Sequence, residues 1–166
     1  MKKKLIVLSL VIVFVFLISG CASFAQKAVE KEIEKSTGAE VDIDEGKIKV
    51  KTDEGEAEME VGEAASLPDD FPDDFPLYEK AKLVSSFKMT EEEKESFQLS
   101  FEFDGDWKEV ADFYQDSLPG SGYTIVSSME TMGGVTIIIK KGEEDAGAIF
   151  IGEADGKGMM TVTLVL

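Results

Sequence analysis

The chain has 166 residues, 17 basic and 34 acidic, with a net charge of −17 and no His, Arg or Asn. Its single cysteine leaves no disulfide framework, and the lack of His excludes the usual nucleophile–base pairs and His-built metal sites. So acidic a surface repels nucleic acid and anionic lipid headgroups and attracts cations.

Residues 1–20 open with Met1 and three lysines, Lys2 to Lys4, and continue as the apolar run Leu5 to Leu17. A basic head, an apolar middle and a small-residue end form a secretory signal. The run is shorter than the roughly 20 apolar residues that span a bilayer. Its end, Ile18-Ser19-Gly20-Cys21, resembles the bacterial lipobox. That resemblance implies a diacylglycerol on Cys21, cleavage between Gly20 and Cys21, and a lipid-anchored protein on the outer face of the cell membrane. Ala22 is also compatible with outer-membrane sorting in a Gram-negative host. Loss of Lys2, Lys3 and Lys4 with the leader takes the net charge from −17 to −20.

Residues 21–37 carry Phe24, Ala25, Ala28, Val29 and Ile33 at helical spacing, with Lys27, Glu30, Lys31, Glu34 and Lys35 on the other side. Thr37-Gly38 is a stop signal. The polar side is not cationic, so the spacing predicts a short helix that packs on the next unit rather than on a membrane.

Residues 38–62 alternate apolar and charged residues through Val41 and Ile43, then Ile48 and Val50, then Ala57, Met59 and Val61. Glu45-Gly46 and Asp53-Glu54-Gly55 interrupt the alternation as turns. Period two with glycine turns predicts a three-stranded antiparallel meander with one apolar face. Its polar face sets a lysine strand between two acidic strands, which cross-strand charge pairing explains without a ligand.

Residues 63–80 form a connector that repeats Pro-Asp-Asp-Phe at Pro68 and Pro72. Proline stiffens such a segment and extends the residue before it. Its aromatic residues are expected to dock on the following unit. Asp69, Asp70, Asp73 and Asp74 offer the oxygen ligands that calcium takes, though not at EF-hand spacing.

Residues 81–166 read as a strand Ala81–Met89, a strand through Phe97, Leu99, Phe101 and Phe103, and a helix from Trp107 to Leu118. Four more strands follow at Tyr123–Met129, Val135–Lys140, Ala148–Glu153 and Met159–Leu166, with turns at Met132-Gly133-Gly134, Gly142–Gly147 and Ala154–Gly158. Asp106 with Glu109 predicts a capping box. The expected fold class is α+β: a short N-terminal helix plus a three-stranded meander, then a separate ββαββββ antiparallel sheet packed on one helix.

Catalytic motifs are scarce. Ser85-Ser86-Phe87-Lys88 matches the S-x-x-K of serine–lysine acylases, but in a strand it splits Ser85 and Lys88 between opposite faces. No phosphate loop or dinucleotide fingerprint is present, so no cofactor is expected.

The short helix ending in Thr-Gly, the hairpin Gly46 to Gly55, the Leu-Pro-x-x-Phe-Pro connector at Leu67, and Phe113-Tyr114 with Leu118 resemble a group of bacterial lipoproteins, mostly Gram-positive. The resemblance implies the same address and architecture and brings no catalytic residue. The expectation is a non-enzymatic, membrane-anchored binding module whose partner is a protein or a cationic peptide. Two alternatives stand beside it: an acidic inhibitor or decoy for cationic enzymes, and a divalent-cation-binding envelope protein.

Overall fold

The computed structural model describes residues 39–166 apart from Glu54, Glu92, Glu93 and Asp155. The signal, Cys21 and the expected helix over 22–37 lie outside the described residues.

Among the described residues there are nine strands and one α-helix; the strands are β1 Glu40–Asp44, β2 Lys47–Thr52, β3 Gly55–Val61, β4 Lys82–Glu91, β5 Lys94–Phe103, β6 Tyr123–Thr131, β7 Gly134–Lys141, β8 Glu144–Ala154 and β9 Lys157–Val165. One α-helix, α1 Trp107–Gly120, joins β5 to β6, and a 3-10 turn at Gly62–Ala64 follows β3. All nine strands belong to one sheet, in the order β1-β2-β3-β4-β5-β9-β8-β7-β6. Every neighbouring pair is antiparallel.

This corrects the expected fold class. The meander is not a unit apart from a ββαββββ sheet, because β3 pairs with β4 from Gly55 opposite Glu91 to Val61 opposite Ser85. Unpaired strand edges expose a row of backbone donors and acceptors, and joining the two strands satisfies both rows at once. The proline-rich connector therefore links two strands of one sheet.

The sheet has an inner face, covered by α1 and the connector. Phe97, Leu99 and Phe101 of β5 stand opposite Leu164, Val162 and Met160 of β9. Val162 and Met160 face Ile149 and Ile151 of β8, which face Ile137 and Val135 of β7. All of these are buried. Each such side chain contributes about 1.5–3 kcal/mol on leaving water. The helix seals part of this face with Val110, Ala111, Tyr114 and Leu118. Asp106 caps it, accepting a hydrogen bond from the Lys108 backbone N–H at 2.9 Å. Its packing partners are β6, β7 and β8.

The expected turn over residues 142–147 is also corrected. β8 already starts at Glu144, and Gly147 lies within it at φ +139°. The register with β7 shifts there, between Ile139 and Lys140, so Ala146 bulges and is buried. A Cβ on Gly147 would run into the Thr163 carbonyl of β9. Gly147→Ala should therefore cost about 2–4 kcal/mol in a urea titration. Gly120→Ala, where nothing lies within 4 Å, should be neutral or slightly stabilising. Equal effects from the two changes would refute the bulge.

Candidate functional site

The connector crosses the inner face by a repeated local structure. Each Pro-Asp-Asp-Phe unit closes a tight turn, with the Phe71 N–H donating to Pro68 O at 2.9 Å and the Phe75 N–H to Pro72 O at 3.1 Å. Proline at the first position sets φ, and the aspartates suit the turn positions that follow. Each turn points a phenylalanine into the core, where Phe71 and Phe75 are both buried.

The two units make matching contacts. Phe71 meets Phe97 edge to face, with ring centroids 5.6 Å apart, and Phe75 meets Tyr123 likewise at 5.3 Å. Phe97 lies directly across from Lys88 on β4, and Tyr123 directly across from Lys141 on β7. Each lysine sits over its aromatic neighbour, 5.8 Å from the Phe97 centroid and 4.9 Å from that of Tyr123. Each also pairs with the second aspartate of a unit, Lys88 with Asp70 and Lys141 with Asp74. An edge-to-face ring pair contributes about 0.5–1.5 kcal/mol beyond area burial. The connector is thus clamped at two points on either side of β9 and β8.

Electrostatics follow from these contacts. The Asp74 carboxyl is held below its ordinary value by the Lys141 hydrogen bond at 2.6 Å, and Lys141 is raised by the same bond. Tyr123 is raised chiefly by burial. Lys88 is raised by its hydrogen bond to Asp70, with Glu95 adding to it. Tyr114 is wholly buried, and burial pushes its hydroxyl well up. That hydroxyl lies near the Tyr78 backbone but has no partner of good geometry among the described residues.

Beside the first clamp the inner face changes character. On β1 to β3 it carries charges in register: Asp42 opposite Lys49, and Lys49 opposite Glu58. Lys49 bridges Glu56 and Glu58, and those hydrogen bonds raise it. Lys47 pairs with Glu60. Burial pushes Glu60 up, but hydrogen bonds from Lys47 and Ser66 outweigh it and leave the carboxyl lowered. Between this lattice and the connector lies a cleft of about 560 Å³, walled by Lys51, Glu56, Glu58, Asp69, Asp70 and Lys88.

The four aspartates offered for calcium are not brought together. Asp70 and Asp74 go to different lysines, and among the described residues no group of three or more acidic side chains is placed to hold a metal ion. Ser85 faces the reverse side of β4, opposite Ser100, while Lys88 faces inward. The sequence pointed to Lys88 only through the S-x-x-K match, not as a clamp, and did not point to Lys141 or Tyr123 as clamp residues. The available signal was the exact repetition of the connector unit, which asks for two equivalent docking points, each with a cationic donor.

The Asp74–Lys141 pair has a defined pH window. A carboxyl whose folded value is depressed stabilises fully above its unfolded value, near 3.8, and loses that contribution as pH falls through the folded value. Asp74→Asn should lower Tm by about 1–4 °C at neutral pH, the range of an exposed pair. The gap to the parent chain should close as pH falls below 3.8 and through the depressed folded value. A gap of constant size down to pH 2 in a calorimetric series would show that the pair contributes nothing.

Among known families, a START domain-like model matches residues 83–149. That stretch runs from β4 into β8, includes α1, and is less than half of the chain. No curated protein and no solved structure gives a significant match. The chain is therefore similar to START domain-like proteins over its middle portion.

Proposed function

We propose that this protein is a lipid-anchored, extracytoplasmic binding module that takes a cationic peptide or protein segment into the cleft between β2–β4 and the connector. The observation that carries this reading is the charge of that cleft. Five carboxylates line it, Asp53, Glu56, Glu58, Asp69 and Asp70, against Lys51 and Lys88. The net charge of the whole chain adds long-range attraction for a cationic partner.

Binding is favoured over turnover by the direction of the pKa shifts around the cleft. Lys49 and Lys88 are raised and Glu56 is lowered, each away from neutrality. A general acid or base works best with a value near the operating pH. Shifts in these directions support a role in holding charge. The START domain-like match is in keeping with ligand binding. The anchor rests on the lipobox at Cys21.

Two measurements test the reading. Calorimetric titration with a short oligolysine should show binding that weakens about tenfold for Asp53→Lys with Asp69→Lys, and not for Glu143→Lys on the β7–β8 turn. Binding should also collapse at high salt. Unchanged affinity in the double variant would remove the cleft as the site. In membrane fractionation, Cys21→Ser should leave the membrane or retain its leader, and normal processing and attachment would refute the anchor.

A further inference from the structure

The two sides of the sheet differ in charge as well as in packing. Residues directly opposite one another in an antiparallel sheet share a face. Phe97 faces the core, so its partner Lys88 faces inward too, and so in turn do Glu58, Lys49 and Asp42. The alternate residues form the reverse face, and three adjoining rows of it carry no charge. One row crosses all nine strands, from Ile43 through Met59, Phe87 and Thr163 to Ile138 and Ser127. Its neighbours run from Val41 through Met89 to Val165, and from Val61 through Ser100 and Phe150 to Met129. Charged residues make up 31% of the chain, yet none falls in these rows.

The half of this face on β5 to β9 is open. Met129 is 55% exposed, Phe150 47%, Val165 45% and Ile138 37%. Among the described elements none covers them, because α1 and the connector's phenylalanines pack into the inner core. The Phe150 ring leans over Gly152, where an added Cβ would come within 3.0 Å of it. The glycine lets that ring lie close to the sheet, so the face stays flat.

We infer that this half of the reverse face seats a second copy of the chain, the two sheets packing face to face about a two-fold axis. Charge selects the occupant. A cationic partner finds its counter-charges on the inner face, and an anionic lipid surface finds no lysine in these rows. A copy of a chain with net charge −17 is repelled everywhere except where both surfaces are neutral, and a two-fold axis sets neutral face on neutral face. Loss of charge at the centre with exposed Phe and Met is the composition of an interface core. Five strands about 4.8 Å apart and three rows about 6.8 Å apart give a footprint of roughly 20 Å by 20 Å. That lies at the small end for specific pairs, so the dimer exchanges at micromolar concentration. The cleft lies on the inner side, so pairing leaves it open in both copies.

Sedimentation velocity tests this in the full chain carrying Cys21→Ser, purified in detergent. The parent should sediment as a dimer that dissociates on dilution through the micromolar range. Phe150→Lys with Ile138→Lys should weaken association at least about tenfold and keep Tm within about 2 °C, since both positions are exposed. A monomer at every concentration would leave the face to a different partner and overturn the inference, as would a dimer that survives the double variant. Crosslinking places the contact independently. Facing sheets lie about 10 Å apart, within reach of a short bismaleimide. Ala148→Cys, Phe150→Cys or Thr163→Cys, made one at a time, should give a covalent dimer for at least one position. Asp116→Cys on α1 should give none. Equal yields from Asp116→Cys and the face positions would mean crowding in the micelle and would also overturn the inference. Neither readout depends on lipid at Cys21 or on a ligand in the cleft.

Discussion

The inner core of this protein depends on how a connector with no regular secondary structure is held down. The helix α1 packs on β6, β7 and β8. The phenylalanines of β5 would otherwise lack a cover, and the connector supplies it with Phe71 and Phe75. A proline-rich strap loses little conformational entropy on ordering, because its φ angles are already restricted. Even so it needs anchors, and each turn of Pro-Asp-Asp-Phe provides the same pair: a ring set edge-on to a strand aromatic, and a carboxylate on the lysine across from that aromatic. The ring contact supplies most of the energy, because exposed ion pairs contribute little. The ion pairs fix which way each turn faces.

A single sheet with two apolar regions on opposite sides is the second constraint. On β5, β7, β8 and β9 the buried residues face α1 and the connector, while on β1 to β3 the same side carries Lys47, Lys49, Glu58 and Glu60 in register. β4 is where the change occurs. Its inward residues run from Leu83 through the buried Ser86 to Lys88. A bulge between Leu83 and Ser85 sets the parity of this strand against β5. The open charged surface and the buried core thus share one side of the sheet, and the cleft lies on the seam between them.

Much of the local structure was legible in the residues. Alternation through Phe97, Leu99, Phe101 and Phe103 marked a strand, Asp106 marked the start of α1, and Glu45-Gly46 marked a turn. What was not legible is which elements meet. Period-two alternation names the two sides of a strand but not its neighbour, so the β3–β4 junction and the inverted faces could not be read. The aspartates of the connector looked like cation ligands because their true partners are remote: Lys88 is 18 residues from Asp70, and Lys141 is 67 from Asp74. Gly147 misled for a different reason, since a glycine among acidic residues signals a turn equally well as a bulge inside a strand.

Lys88 belongs to both the clamp and the cleft, and this couples the proposed binding site to the core. Its ammonium is already engaged by Asp70 and Glu95. An anion that sought Lys88 would have to take that ammonium from Asp70, and in doing so would loosen the seat of Phe71 in the core. A cation meets no such toll, because each carboxylate oxygen has lone pairs to share with a second donor. On the proposed reading of the cleft, a ligand that competes for Lys88 works against the strap that covers the core.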